Sequence, residues 1–326
     1  LKQALEHKGH IVQVIGPHEF NFTVPMPGYA EIRLAIGARK KLYEKMVEFS
    51  PNVLHVATEG PLGWGARDFA RTKEISFTTA YHTDFPGYIA ARLTRLSKGA
   101  AHAGARVTER YLRRFHAPAS GIFVSTPTLA RQLSDLKFTS PTYAMTRGVD
   151  ETIFTSEGPR ADLGLRTPIA LYVGRVAREK NLEAFLTMPW PGSKVVVGDG
   201  PLRAAYMRDY PKVYFAGLRQ GHDLAAMYRA ADVFVFPSRT DTFGMVLIEA
   251  LACGVPIAAY PVPGPVDIVD QPYLGVLDDD LARAAHLALS CGSAADRVRH
   301  VRDHYTWQKA ADQFIESCHP FTKKAL

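Results

Sequence analysis

The segment PSRTDTFGMVLIEALACGVPIAAY places Asp241 and Glu249 eight residues apart, Asp241 at a loop tip and Glu249 a little over one turn into a helix that opens near Gly244. Two carboxylates so placed can accept hydrogen bonds from sugar hydroxyls on either side of a bound diphosphate. Between them, Thr242, Phe243 and Gly244 stand where the helix begins. Backbone N–H groups at a helix start lack partners and the dipole is positive there, so the three residues form an anion seat. On spacing alone the plainer arrangement is favoured, with Asp241 capping the helix and Glu249 as a solvated helix residue.

A second pattern, LYVGRVAREKN, ends a strand at Gly174 and supplies Arg175 and Lys180 before the next helix. A guanidinium fork and an ammonium at the carboxyl edge of a sheet can hold a diphosphate and stabilise it as a leaving group. The segment by itself fits two loop cations of a basic protein equally well. In VVVGDGP, Gly198-Asp199-Gly200-Pro201 lacks the last glycine of a dinucleotide fingerprint and reads as a turn. There is no phosphate loop of the GxxxxGK[ST] type, no GxSxG elbow and no HExxH zinc helix. FTTAYHTDFPGY ends a strand at His82, with Pro86 and Gly87 turning the chain just beyond. A histidine at that edge can donate to a sugar oxygen, although a lone histidine is more often structural. No pair of histidines has metal-ligand spacing, so no metal site is expected.

The stretch 92–114 carries Arg92, Arg95, Lys98, Arg106, Arg110, Arg113 and Arg114 against a single acid, Glu109. If 102–116 is helical, Val107, Tyr111 and Phe115 form one stripe flanked by the arginines. That pattern suits an anionic membrane surface, and it also suits a core-packed helix with a wet face.

The elements that must position these residues alternate short β-rich runs with helical patterns. In the first half, strands are expected at Ile11–Gly16, Val53–Ala57, Ile75–His82 and Gly121–Ser125, with helices around 38–50, 62–73, 102–116 and 127–136. A second series expects strands at Ile169–Gly174, Lys194–Gly198, Val213–Gly217, Asp232–Pro237 and Val255–Tyr260. Its helices fall near 180–187, 201–209, 221–231, 244–253 and 279–290. The class is α/β with parallel sheets, and TRGVDETIFTSEGPRADLGLRTP, without periodicity, separates two domains. Open α/β sheets bind ligands beyond the carboxyl ends of their strands, so function is expected there.

Composition agrees. The 326 residues are 47% hydrophobic and 22% charged, enough for full cores and for about two domains. The net charge of +7 is one-sided, because residues 1–150 hold 20 Lys and Arg against 12 Asp and Glu, whereas the remainder holds 19 against 20. A basic front half attracts phosphates, yet no nucleic-acid-binding module is recognisable. Three cysteines without CxxC spacing argue against a disulfide framework or structural zinc and point to a reducing compartment. LKQALEHKGH reads as the back half of an amphipathic helix stopped at Gly9, so the chain is expected to be a truncated form of a longer protein.

Taken in order, His82 in YHTDFPGY, Arg147-Gly148-Val149-Asp150, GRVAREKN, VVVGDGP, FAGL and the segment around Asp241 and Glu249 resemble the retaining glycosyltransferases of family 4. Single motifs are weak, but the ordered set covers almost the whole chain. The resemblance implies a GT-B fold, two Rossmann-like domains facing across a cleft. These would be 1–147 on the acceptor side, 148–304 holding a nucleotide-sugar, and 305–326 returning as a helix to the first domain. It implies that Arg175 and Lys180 bind the donor diphosphate, with Gly174, Gly200, Thr242, Phe243 and Gly244 lining it. Glu249 would hold the ribose hydroxyls, Leu218 would lie near the base, and Asp241 and His82 would contact the transferred sugar.

Family chemistry needs no metal or other cofactor and keeps the anomeric configuration. Two departures stand out: Asp241 replaces the usual glutamate, one methylene longer, and the first strand of the family's first domain, with its glycine-rich loop, is missing. YHTDFPGY and SRTDTFG look most similar to bacterial GDP-mannose-dependent α-mannosyltransferases and glycosyl-diacylglycerol synthases. The implied donor is GDP-mannose or a UDP-hexose, and the implied acceptor is a membrane glycolipid or diacylglycerol at the inner face of the cytoplasmic membrane. The alternatives are a same-fold sugar-nucleotide epimerase or hydrolase, or a catalytically silent nucleotide-sugar binder.

Overall fold

The computed structural model describes residues 1–26, 29–82 and 97–318. The chain divides into two compact units, Leu1–Met145 with Ala310–Leu326, and Thr146–Lys309.

In the first unit an antiparallel pair, β1 (Thr23–Met26) and β2 (Tyr29–Ala35), accompanies a parallel sheet of β3 (His55–Val56), β4 (Thr78–Ala80), β5 (Gly121–Val124) and β6 (Thr142–Ala144), ordered β3-β4-β5-β6. All four residues of β5 are buried, as a central parallel strand covered on both faces requires. Helices Arg39–Phe49, Pro61–Thr72, Lys98–His116 and Pro127–Asp135 provide the cover. Gly63 allows the second of these to lie close, because a Cβ there would stand 1.7 Å from the Thr58 carbonyl oxygen. The helix Trp307–Ser317 delivers Phe314 to this unit, its ring stacked on Phe123 at 5.1 Å.

The second unit holds six parallel strands: β7 (Ile169–Val173), β8 (Ser193–Val197), β9 (Tyr214–Gly217), β10 (Val233–Phe236), β11 (Ile257–Ala259) and β12 (Gly275–Leu277). Their order is β12-β11-β10-β7-β8-β9, the crossed pattern of a doubly wound sheet. Side chains alternate between two cores. Leu171, Val173, Val195, Val197, Phe234 and Phe236 enter one, and Ala170, Tyr172, Val196, Val233 and Val235 the other. Each large apolar side chain fully buried there contributes roughly 1.5–3 kcal/mol. The aperiodic segment around 150–166 is pinned by Arg229, whose Nε and Nη1 donate to the carbonyls of Pro159 at 2.8 Å and Thr155 at 3.1 Å. Arg147-Gly148-Val149-Asp150 opens this segment, and the Val149 N–H donates to the Tyr305 carbonyl at 3.0 Å.

Several expected elements change. Ile11–Gly16 forms no strand: Ile11 is 88% exposed and Val14 60%, and the run finds no partner strand among the described residues. A strand needs such a neighbour for its N–H and C=O groups. The strands expected at Val53–Ala57, Ile75–His82 and Val255–Tyr260 shrink to the residues that pair, and β1, β2, β6 and β12 were not anticipated.

The stripe of Val107, Tyr111 and Phe115 also splits. Successive i+4 steps drift by about 40° around a helix. Phe115 is therefore fully buried with Leu112 and His116, while Val107 stays 71% exposed and Tyr111 44%. Arg92 and Arg95 lie outside the described residues, as do Pro86 and Gly87 beyond His82; Lys98 opens the helix that carries the other arginines.

Candidate active site

At the carboxyl edge of the second sheet, β7 ends just before Gly174, and the buried Tyr172 hydroxyl donates to the Arg175 carbonyl at 2.9 Å. β8 ends against it at Gly198, with φ of +135°, where a Cβ would lie 2.0 Å from the Gly174 carbonyl oxygen. Only glycine permits that approach. Gly200 follows and packs on Val176 in the same manner.

The chain after Arg175 forms a single 3-10 turn, Arg178–Lys180. This turn is stitched to the end of β10, the strand paired with β7. Asn181 Nδ2 donates to the Pro237 carbonyl at 3.0 Å, and Thr240 Oγ1 to the Glu179 carbonyl at 3.4 Å. The result brings Lys180 Nζ to 2.5 Å from Asp241 Oδ1, across 61 residues of sequence. Both side chains are largely buried, at 23% and 13% exposure. Arg175 Nη1 lies 3.8 Å from Glu179 Oε1, too far for a tight hydrogen bond. Asp241 therefore pairs with Lys180, and the N-cap of the following helix is Gly244.

That helix, Met245–Ala252, has Gly244 at its N-cap with φ of +88° and no side-chain cap. In its first turn the Leu247 N–H donates to the Gly244 carbonyl at 2.9 Å, and no side chain caps the start. Phe243 is buried, its ring set edge-on to Tyr305 at 5.9 Å. Thr242 is half-buried beside it.

Glu249, one turn further, is not a solvated residue. Tyr228, fully buried in the helix Gly221–Arg229, donates its hydroxyl to Glu249 Oε2 at 2.9 Å. Burial pushes the Glu249 carboxyl above its ordinary value of 4.5, and the Tyr228 bond pulls the other way. Burial and the neighbouring Glu249 push the Tyr228 phenol well up. Leu218 follows the end of β9 and is 61% exposed.

Sequence reasoning missed two residues here. Tyr228 lies 21 positions before Glu249 in another helix, with no motif around it. Arg203, in the first turn after Gly200, rests its guanidinium against Gly217. In the first unit β4 stops at Ala80, so His82 stands half-buried two residues beyond the strand end expected at that histidine.

Two family models divide the chain: "Glycosyltransferase Family 4" matches residues 1–153 and "Glycosyl transferases group 1" matches 167–290. The chain belongs to glycosyltransferase family 4. Its family 4 relatives include the GDP-mannose-dependent alpha-mannosyltransferase of Mycobacterium tuberculosis, 32% identical over 70% of this chain and 60% of that protein. The alpha-monoglucosyldiacylglycerol synthase of Streptococcus pneumoniae is 25% identical, covering all of this chain and 81% of its own. The chain spans 52% of another relative, the sulfoquinovosyl transferase of Arabidopsis thaliana, and thus between half and two thirds of the first relatives it matches. Among solved structures, the sucrose-phosphate synthase of Thermosynechococcus elongatus superposes with a TM-score of 0.67 at 24% identity, over 87% of this chain and 81% of its own. The likeness confirms the two-domain α/β fold of the GT-B class, in which the family 4 motifs lie at strand ends.

Proposed function

We propose that this family 4 chain is a hexosyltransferase. In this reading it moves a hexose from GDP-mannose or a UDP-hexose to a hydroxyl of a membrane glycolipid or diacylglycerol, with retention and without a metal. The observation that carries the reading is the cluster at the ends of β7 and β10, where Lys180, in the same loop as Arg175, is held by Asp241 three residues before a helix start without a side-chain cap.

The chemistry follows from charge. As the bond from the anomeric carbon to the phosphate oxygen breaks, negative charge builds on the departing diphosphate. Fixed cations and oriented N–H groups lower the energy of that state without reorganising. The acceptor oxygen bonds to the anomeric carbon on the face the diphosphate leaves, and its proton passes to a donor phosphate oxygen. Asp241 first orients Lys180 and then accepts from a sugar hydroxyl. Glu249 accepts from the ribose, and His82 contacts the transferred sugar.

The acceptor reading draws on the basic helix. Arg106, Arg110 and Arg114 are exposed around the equally exposed Val107, and Arg113 Nη1 donates to the Leu136 carbonyl at 3.1 Å. Arg110, Arg113, Arg114 and Lys137 line an open cavity of about 470 Å³, which suits anionic headgroups. Among the described residues no helix is long and apolar enough to cross a membrane. We place the chain at the inner face of the cytoplasmic membrane, bound through this helix.

The test is nucleotide diphosphate release from GDP-mannose and UDP-glucose in EDTA, with and without diacylglycerol vesicles containing anionic lipid. One donor is expected to turn over only with vesicles, and the membrane-dependent part should vanish near 1 M salt, where screening acts within about 3 Å. Equal release without lipid would contradict the acceptor assignment, and no release from either donor would contradict the activity.

A further inference from the structure

We infer that Arg203 reads the base of the donor nucleotide and selects guanine. The inference rests on the reading of this site as a nucleotide-sugar site, and it adds the feature that chooses the donor.

Arg203 begins the helix Arg203–Asp209, and its N–H donates to the Gly200 carbonyl at 3.1 Å. Its guanidinium then lies beside the end of β9: a Cβ built on Gly217 would stand 3.5 Å from Nη2 and 3.9 Å from Cζ. A Cβ at position 217 would meet it only at ordinary contact distance, and the φ of +74° is what favours glycine there.

The Nε of Arg203 is buried and has no hydrogen-bond partner. The buried guanidinia of Arg229 and Arg297 in this unit are treated differently. Arg229 donates to two backbone carbonyls, and Arg297 to the carbonyls of Gly254, Tyr273 and Cys291. A buried N–H without an acceptor is costly, and a guanidinium that turns to meet an incoming acceptor at this strand end would remove that cost. The neighbouring Leu218 offers an apolar side chain, 61% exposed, that a flat aromatic ring would cover.

Phosphate is not the natural partner, because the diphosphate cations Arg175 and Lys180 follow β7, two strands from β9. The base is. An arginine fork matches two adjacent acceptors, and guanine presents O6 and N7 side by side. Uracil offers a single carbonyl beside its N–H, and adenine sets an amino donor beside N7.

The experiment is calorimetric binding of GDP, UDP and ADP to the whole chain and to Arg203→Ala and Arg203→Lys. The wild-type chain should prefer GDP. Arg203→Ala should weaken GDP roughly ten- to 100-fold while leaving UDP within about twofold. Arg203→Lys, a point charge without the fork, should also lose GDP preference. Retained UDP binding shows that a variant is folded. If Arg203→Ala binds neither nucleotide, Arg203→Lys decides by the same comparison. Equal losses for GDP and UDP, or no loss, would overturn the base assignment and leave the function standing. A wild-type chain that binds no nucleotide would overturn both.

Discussion

Lys180→Ala is expected to reduce kcat/KM for sugar transfer by about 10²–10³-fold, the usual cost of removing one preorganised group that stabilises developing charge. The loss should fall mainly on kcat, because the ammonium matters most as the diphosphate takes on charge. Arg175→Ala should behave similarly, since its fork lies two residues beyond the end of β7, in the loop that carries Lys180. Arg178 provides the contrast. It is an exposed cation in the same turn, and Arg178→Ala should leave turnover within about twofold, as the loss of a solvated surface charge usually does. Steady-state kinetics of the three variants at one ionic strength separate a specific role from a general loss of positive charge. Equal turnover in Lys180→Ala and wild type would remove Lys180 from the mechanism.

Glu249→Ala should raise the donor KM by roughly ten- to 150-fold, the range for hydrogen bonds to a charged acceptor. It also strands the fully buried Tyr228 hydroxyl, so a stability loss of about 1–3 kcal/mol should accompany it. Tyr228→Phe separates the two effects by keeping the carboxylate and deleting the bond that orients it. Its KM should rise modestly with kcat little changed. The sign of the pH effect follows from the raised Glu249 carboxyl. In the folded chain its charged form is disfavoured. Its contribution to stability therefore declines as pH rises from the ordinary value of 4.5 through the raised one, and levels off above it. The ionised form is the better ribose acceptor, so the acid limb of kcat/KM should lie above the usual carboxylate range. Tyr228→Phe removes the interaction that lowers the carboxyl, so the limb should move further up. A limb unmoved by Tyr228→Phe would mean that Glu249 does not govern donor capture.

The strand ends of the second sheet were legible because β7, β10 and the last three residues of β8 are short, buried apolar runs closed by glycine or proline. The pair β1 and β2 was not, because Pro25 lies within β1 and its register shifts at Pro25 and Met26. β6 leaves two of its three residues exposed, without an apolar run to announce it. At the site, local spacing located Asp241, Thr242, Phe243, Gly244 and Glu249, since a loop that opens a helix is written in consecutive residues. The pairing of Asp241 with Lys180, and the burial of Glu249 against Tyr228, depend on which strands and helices become neighbours. Spacing alone therefore favoured a cap and a solvated acid, whereas sheet order makes one an ion-pair partner and the other a desolvated acceptor.

The central claim is that the fixed cations Arg175 and Lys180 after β7, the second held by Asp241 after β10, drive departure of a diphosphate while the acceptor attacks from the same face. The anomeric configuration of the product tests it most directly. With an α-configured donor and EDTA present, proton NMR of the freshly formed glycoside should show an α-linkage from the first turnovers. A β-linked product would contradict the account, because it requires attack from the opposite face and a base that deprotonates the acceptor there.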